Sequence, residues 1–206
     1  DGPELIFPPS FNVADILIDR HVGEGRGDKP AIVTLNETVT YRALAENVNR
    51  YGNALRGLGL APGDRVLMII KDAPEFIFTF WGCVKSGLIP IALNTMLTTD
   101  DYKFIITDSN AKLLVYSLDY RDRVEPAVAA CPSLGKALPA REEAGSLDEL
   151  SAAAGAELAT FAATEDSECL WLYSSGTTGQ PKGVVHVHRD IAATCLLFGT
   201  GVLGAR

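Results

Sequence analysis

Histidine is scarce in this chain, with three residues, and the four cysteines form no C-x-x-C pair. A zinc-type site needs three or four such ligands at close spacing. His186 and His188 stand two apart, but no third histidine or cysteine joins them, and His21 is far away in the chain. No metal site is read. Two residues apart on a strand, the pair would share one face, and a packing or hydrogen-bonding role beside the neighbouring glycine-rich segment is expected. Cys83, Cys131, Cys169 and Cys195 are widely spaced, mostly in apolar surroundings, as expected of buried free thiols in a reducing cytosol.

Positive charge is also in short supply. Eighteen Lys and Arg face 26 Asp and Glu, a formal net charge of −8. An acidic surface repels phosphate backbones and anionic lipid, so neither nucleic acid nor membrane is expected as a partner. A local basic pocket for a small anion stays open. Long apolar runs are missing as well: the late stretch over 191–203 is broken by glycines and too short to span a bilayer. No apolar leader opens the chain, and a cytoplasmic location is expected. The first residue is Asp1 rather than Met, so a trimmed or processed N-terminus is expected. What remains is a composition 47% hydrophobic, 21% charged and 8% aromatic in 206 residues. That is an ordinary globular chain, long enough for one large or two small domains.

Apolar periodicity organises it. Ser10 or Asn12 can cap a short helix carrying Val13, Ile16 and Leu17 on one face. Segments 31–35 and 38–40 flank Asn36-Glu37 and predict a hairpin. Thr40 then caps a helix whose Leu44, Val48, Tyr51, Leu55 and Leu58 follow at steps of four, three, four and three. Gly59 stops it, and Pro62-Gly63 makes the turn. From there strand-like and helix-like segments alternate. Strands are predicted over 65–70, 88–93, 112–116 and 169–173, and helices over 75–86 (opened by Pro74), 100–108 and 119–130. Near-continuous apolar strands alternating with helices predict an α/β fold, with a mostly parallel sheet covered on both faces. Segment 139–163, rich in Ala and Glu, reads as a peripheral helix with loops.

Some conspicuous residues have ordinary explanations. Phe76, Phe78, Phe80 and Trp81 fall at helical spacing and are expected in the core rather than in a substrate pocket. Asn94 is expected as a turn residue after its strand. Asp64 and Arg65 could pair near a strand start. Asp100, Asp101 and Asp108 read as a solvated helix face with favourable N-terminal charge.

The segment that carries chemistry is 174–183. Its ten residues hold three glycines, four hydroxyls and one lysine. Glycines let backbone amides approach an anion, amides and hydroxyls donate to phosphate oxygens without bulk, Pro181 stiffens the loop, and Lys182 adds a full charge. The set suits a polyphosphate. The spacing is Gly176-x-x-Gly179-x-x-Lys182-Gly183, with a predicted strand over 184–187 following it. A Walker loop needs G-x-x-x-x-G-K-[ST] opening a helix, so an ordinary P-loop NTPase is disfavoured.

The string Tyr173-Ser-Ser-Gly-Thr-Thr-Gly-Gln-Pro-Lys-Gly183 resembles the signature phosphate loop of the adenylate-forming superfamily. That superfamily includes acyl-CoA synthetases, luciferases and adenylation domains of peptide synthetases. The resemblance runs through most of the chain: Phe11-Asn12-Val13-Ala14, Thr40-Tyr41, Leu58-Gly59-Leu60, Gly63-Asp64-Arg65-Val66, Pro90-Ile-Ala-Leu-Asn94-Thr95 and Val184-Val185-His186-Val187-His188 are similar to segments of the benzoate–CoA ligase branch. One departure is local: the family carries Asn two residues after the histidine matching His188, where this chain has Asp190.

The resemblance implies ATP, Mg2+ and coenzyme A as the reactants and cofactor of an AMP-forming ligase for an aromatic carboxylic acid. It assigns Ser174, Ser175, Gly176, Thr177, Thr178, Gly179 and Lys182 to the β- and γ-phosphates. It also implies parts not found here: an aromatic substrate motif, a Tyr-Gly-x-Thr-Glu segment, a ribose-binding Asp and a mobile C-terminal domain with the adenylation lysine. Residues 1–206 are therefore expected to be an incomplete N-terminal large domain, with no catalytic residue of their own and no activity alone. A sheet cut at that point would present an unpaired edge, which admits a homo-oligomer. Ligases for a fatty or other acid, and a non-catalytic module with the same fold, stay open as alternatives.

Overall fold

The computed structural model describes residues 5–174 and 180–204. Asn12 opens the first helical stretch. Its side-chain oxygen accepts the Ala14 N–H at 3.1 Å, and its amide donates to the carbonyls of Val84 and Phe161. The expected cap thus falls on Asn12. The stretch runs as a wide π-type turn, Asp15–Asp19, into the short α1, Arg20–Gly23.

β1 (Pro30–Val33) and β2 (Thr38–Thr40) pair antiparallel as the expected hairpin. Thr40 then caps α2 (Tyr41–Gly57), its hydroxyl accepting the Ala43 N–H at 3.2 Å. The predicted stripe faces inward: Leu44, Val48, Tyr51 and Leu55 are buried. Gly59 follows at φ +87°, the left-handed geometry that a helix-ending glycine supplies.

Among the described residues the main sheet has six strands in the order β6-β5-β3-β4-β7-β8. They are β3 (Arg65–Ile69), β4 (Ile89–Ala92), β5 (Leu113–Tyr116), β6 (Lys136–Pro139), β7 (Glu168–Ser174) and β8 (Lys182–Val187). Every pairing is parallel except β7 with β8, so the expected mostly parallel α/β sheet is what forms. Helices α3 (Pro74–Ser86), α4 (Thr99–Ser109) and α5 (Arg121–Ala129) connect the strands. The strands read as continuous apolar runs because both faces are covered. Val66, Met68 and Ile70 pack with α2 and α3, while Leu67 and Ile69 pack with α4 and α5.

Segment 139–163 is a short helix with loops, as expected. α6 (Leu147–Ala152) is its one helical piece, capped by Ser146. The edge strand β6 before it was not legible in the sequence. Its four residues alternate weakly, and backbone pairing with β5 defines it.

Among the four aromatics of α3, Phe78 is buried, and Phe76, Phe80 and Trp81 pack half-buried against the core, as expected. α2 and α3 approach closely at Gly52 and Gly82. A Cβ on Gly82 would lie 2.9 Å from the Gly52 nitrogen and 3.2 Å from the Val48 carbonyl oxygen. A third cluster, with Phe11, Val13, Val84, Leu170 and Ala192, joins the N-terminal segment to β7 and to α7 (His188–Thr194).

Candidate phosphate-binding site

Parallel strands share one carboxyl edge, and open α/β sheets bind ligands there. β7 ends at that edge on Ser174, and β8 returns from it on Lys182. The two residues are Cα partners across the antiparallel pair, as are Tyr173 and Gly183 before them. Ser174 and Lys182 are both exposed. The hairpin therefore places a hydroxyl and an ammonium on adjacent strand ends, with 175–181 spanning the gap. Ser175, Gly176, Thr177, Thr178 and Gly179 lie outside the described residues.

Neighbouring strand ends complete the surroundings. Ile91 and Ala92 of β4 pair with Trp171 and Leu172 of β7, so the turn at Asn94 leaves the sheet at the level of Ser174. Asn94 is the turn residue its type predicts: its side-chain oxygen accepts the Met96 N–H at 2.8 Å.

The base of the hairpin is anchored from below. The Tyr173 hydroxyl donates to Asp108 Oδ2 at 2.5 Å. Burial, reinforced by the Asp108 carboxylate, raises the tyrosine above its ordinary pKa and keeps the hydroxyl a donor. Asp108 sits in the last turn of α4, where the helix dipole disfavours a carboxylate. Asp108 is exposed, as a solvated face requires, but at the C-terminal end of the helix instead of the expected N-terminal one. Asp100 and Asp101 do occupy the first turn, with Asp101 bonded to Thr98 in a reciprocal cap.

Asp64 and Arg65 do not form the pair considered for them. Asp64 accepts the Ala61 N–H. Arg65 donates to the carbonyls of Ser109 and Asn110 at the end of α4, and its guanidinium lies 5.9 Å over the Trp171 ring of β7. It therefore joins the helix end to the hairpin strand.

Gly183 has a reason of its own. A Cβ there would stand 3.2 Å from Tyr173 Cζ and 3.4 Å from Trp171 Cε3. It is small because aromatic rings lean across from β7, a cause separate from phosphate approach. Sequence reasoning missed the Tyr173–Asp108 bond. An acidic residue in the last turn of a helix was the available signal, since such a group needs a donor from elsewhere.

The two late histidines part company. His186 is on β8, with Nδ1 3.5 Å from the Asp190 carboxylate. His188 is the first residue of α7 and lies 2% exposed, its Nδ1 accepting the Val13 N–H at 3.2 Å. They do not share a strand face, because the chain turns into a helix between them. Burial pushes the His188 pKa down to about 4. Asp190, where the family has Asn, accepts the Val187 N–H at 3.1 Å and caps α7. A carboxylate serves that position as well as an amide does. Cys83, Cys131 and Cys169 are buried free thiols, as expected, while Cys195 is exposed.

No helix among the described residues is long and apolar enough to cross a membrane. The family model described as "AMP-binding enzyme" matches residues 19–204. The chain is 43% identical to the benzoate–CoA ligase of Thauera aromatica, over 99% of this chain and 39% of that protein. It is 36% identical to the 4-hydroxybenzoate–CoA/benzoate–CoA ligase of Rhodopseudomonas palustris, over 86% of this chain and 34% of that one. The crystal structure of the anthranilate CoA ligase AuaEII with anthranoyl-AMP superposes with a TM-score of 0.89 at 31% identity, covering 97% of this chain and 38% of that one. The chain thus spans about two fifths or less of the length of these relatives. With a carboxyl-edge hairpin carrying Ser174 and Lys182, and a family match over nearly its whole length, the chain belongs to the AMP-binding enzymes.

Proposed function

We propose that this chain is the nucleotide-phosphate grip of an AMP-forming aromatic acid–CoA ligase, forming the N-terminal portion, 1–206, of its large domain. The observation that carries the reading is the pairing of Ser174 with Lys182 at the carboxyl edge of the sheet. That pairing sets a cation and a hydroxyl at the two ends of a glycine- and hydroxyl-rich loop. The names of the relatives support an aromatic acid, benzoate or a hydroxy- or aminobenzoate.

In this reading a carboxylate oxygen attacks the α-phosphorus of ATP. The bond from that phosphorus to the bridging oxygen breaks, and pyrophosphate leaves with the electron pair. Ser174, Ser175, Gly176, Thr177, Thr178, Gly179 and Lys182 donate to the β- and γ-phosphate oxygens and balance the charge that builds on the leaving group. The coenzyme A thiolate then adds to the acyl carbon of the adenylate, and AMP departs. Mg2+ would enter with the nucleotide and supply positive charge to its phosphates. Residues for the acid, the adenine and the ribose are assigned to sequence beyond these 206 residues, so this polypeptide alone forms no thioester. The outer edge of β8 is the surface on which a second copy could pair.

Lys182→Ala, made in the complete enzyme, is expected to slow benzoate-dependent pyrophosphate release by roughly tenfold to a thousandfold. An unchanged rate would defeat the assignment. Release assayed across benzoate, hydroxybenzoate, anthranilate and a fatty acid selects the substrate class, and preference for the fatty acid would replace the aromatic reading.

A further inference from the structure

We propose that Asp108 is a positioning residue for the phosphate loop, acting through Tyr173. The inference rests on the loop reading above and adds to it the element that holds the loop in place.

Three observations meet at one side chain. The Tyr173 hydroxyl donates to Asp108 Oδ2 at 2.5 Å, across 65 residues of chain. The same ring lies against Gly183 of the opposite strand, with Cζ and Oη 3.2 and 3.4 Å from where a Cβ would stand. Tyr173 and Gly183 are register partners, and the next pair outward is Ser174 with Lys182. The ring is thus fixed at its tip by α4 and on its flank by β8. The two loop-bearing residues extend directly from this clamp.

The clamp matters because, among the described residues, β7 is the one strand that β8 pairs with. Leu172, Val184 and Val185 remain 44 to 46% exposed, so packing over the hairpin is thin near the loop. Edge hairpins with little packing slip or splay most easily. A charge-assisted hydrogen bond to the last turn of α4 resists that motion. Asp108 is otherwise poorly placed, at the negative end of its helix. Arg65 donates to the Ser109 and Asn110 carbonyls of the same helix end and lies over Trp171, a second tie between α4 and β7. Preorganised donors bind an anion without paying for their own ordering. Losing the clamp therefore lowers phosphate affinity even though neither residue touches phosphate.

The test titrates magnesium pyrophosphate into the complete enzyme by calorimetry or 31P NMR, well below each variant's thermal midpoint. Tyr173→Phe and Asp108→Ala are each expected to weaken binding about fivefold or more, in line with the ~1 kcal/mol worth of one hydrogen bond. Asp108→Asn keeps an acceptor for the hydroxyl and is expected to bind within about twofold of the unsubstituted enzyme. Lys182→Ala serves as the control for the loop itself. If Lys182→Ala abolishes binding while Tyr173→Phe binds like the parent, the loop reading stands and the clamp is overturned. Equal losses in Asp108→Asn and Asp108→Ala overturn the hydrogen-bond route as well. If Lys182→Ala binds normally, or the unsubstituted enzyme does not bind, the loop reading itself falls. Should Tyr173→Phe fail to fold, the Asp108→Ala and Asp108→Asn pair decides the matter with the ring intact.

Discussion

His188 Nδ1 accepts the backbone N–H of Val13 across 175 residues, joining the start of α7 to the N-terminal helical stretch. The bond requires a neutral imidazole with its proton on Nε2. Burial holds the folded pKa down to about 4, against an ordinary 6.5, so the folded state binds the proton less readily than the unfolded state. The resulting stability is full above pH 6.5 and is lost as pH falls toward 4. The expected loss between pH 7 and pH 4 is about 2–3 kcal/mol. Urea midpoints across that range measure it. His188→Gln retains an acceptor without a titration, and its curve should run flatter than the parent's by that amount.

Gly52 and Gly82 make opposite use of glycine from Gly57. Gly82→Ala would drive a methyl into the backbone of α2, 2.9 Å from a nitrogen that cannot move aside. A destabilisation of about 2–3 kcal/mol is expected. Gly57, in the last turn of α2, opens onto space with nothing within 4 Å, so Gly57→Ala should raise stability by about 0.5–1 kcal/mol. Chemical denaturation of the two variants reads the contrast in sign.

Lys85 and Asp19 form a lopsided ion pair at 2.7 Å, with side chains 4% and 34% exposed. Removing the carboxylate strands a buried ammonium, and Asp19→Ala should cost about 2–4 kcal/mol. Removing the cation leaves a carboxylate that water still reaches, so Lys85→Met should cost no more than about 1 kcal/mol. Thermal melts that rank the two variants in the reverse order would contradict this account.

Thiol chemistry should separate one cysteine from three. Cys195 is exposed, whereas Cys83, Cys131 and Cys169 are buried. Burial, aided by the Asp190 carboxylate, pushes the Cys169 pKa up to about 12, and burial alone raises Cys83 above its ordinary value. An aromatic disulfide reagent at pH 8 should modify a single thiol in the native chain and all four in denaturant. Cys195→Ser should abolish the native reaction.

Local rules were enough for much of this molecule. The Thr40 cap, the stripe on α2, the Pro74 start of α3 and the apolar strands are short-range consequences of side-chain shape, and the structure places them where the sequence does. The hairpin strands that flank 175–181 were equally legible as apolar runs, and the structure pairs Ser174 with Lys182 at their ends. β6 was not legible, since four residues with a weak pattern become a strand only when β5 supplies backbone partners. The separation of His186 from His188 escaped for a related reason: the strand ends and a helix begins between them, and Asp190 caps that helix.

The sequence by itself determined the class of fold and the ends of its longer helices, because each depends on residues a few positions apart. Tertiary structure alone decided that Asp108 meets Tyr173, that Gly183 makes room for an aromatic ring, that Asn12 and His188 tie the N-terminal segment down, and that Ser174 faces Lys182. Those are contacts between distant parts of the chain, and the packing of strands and helices selects the partners.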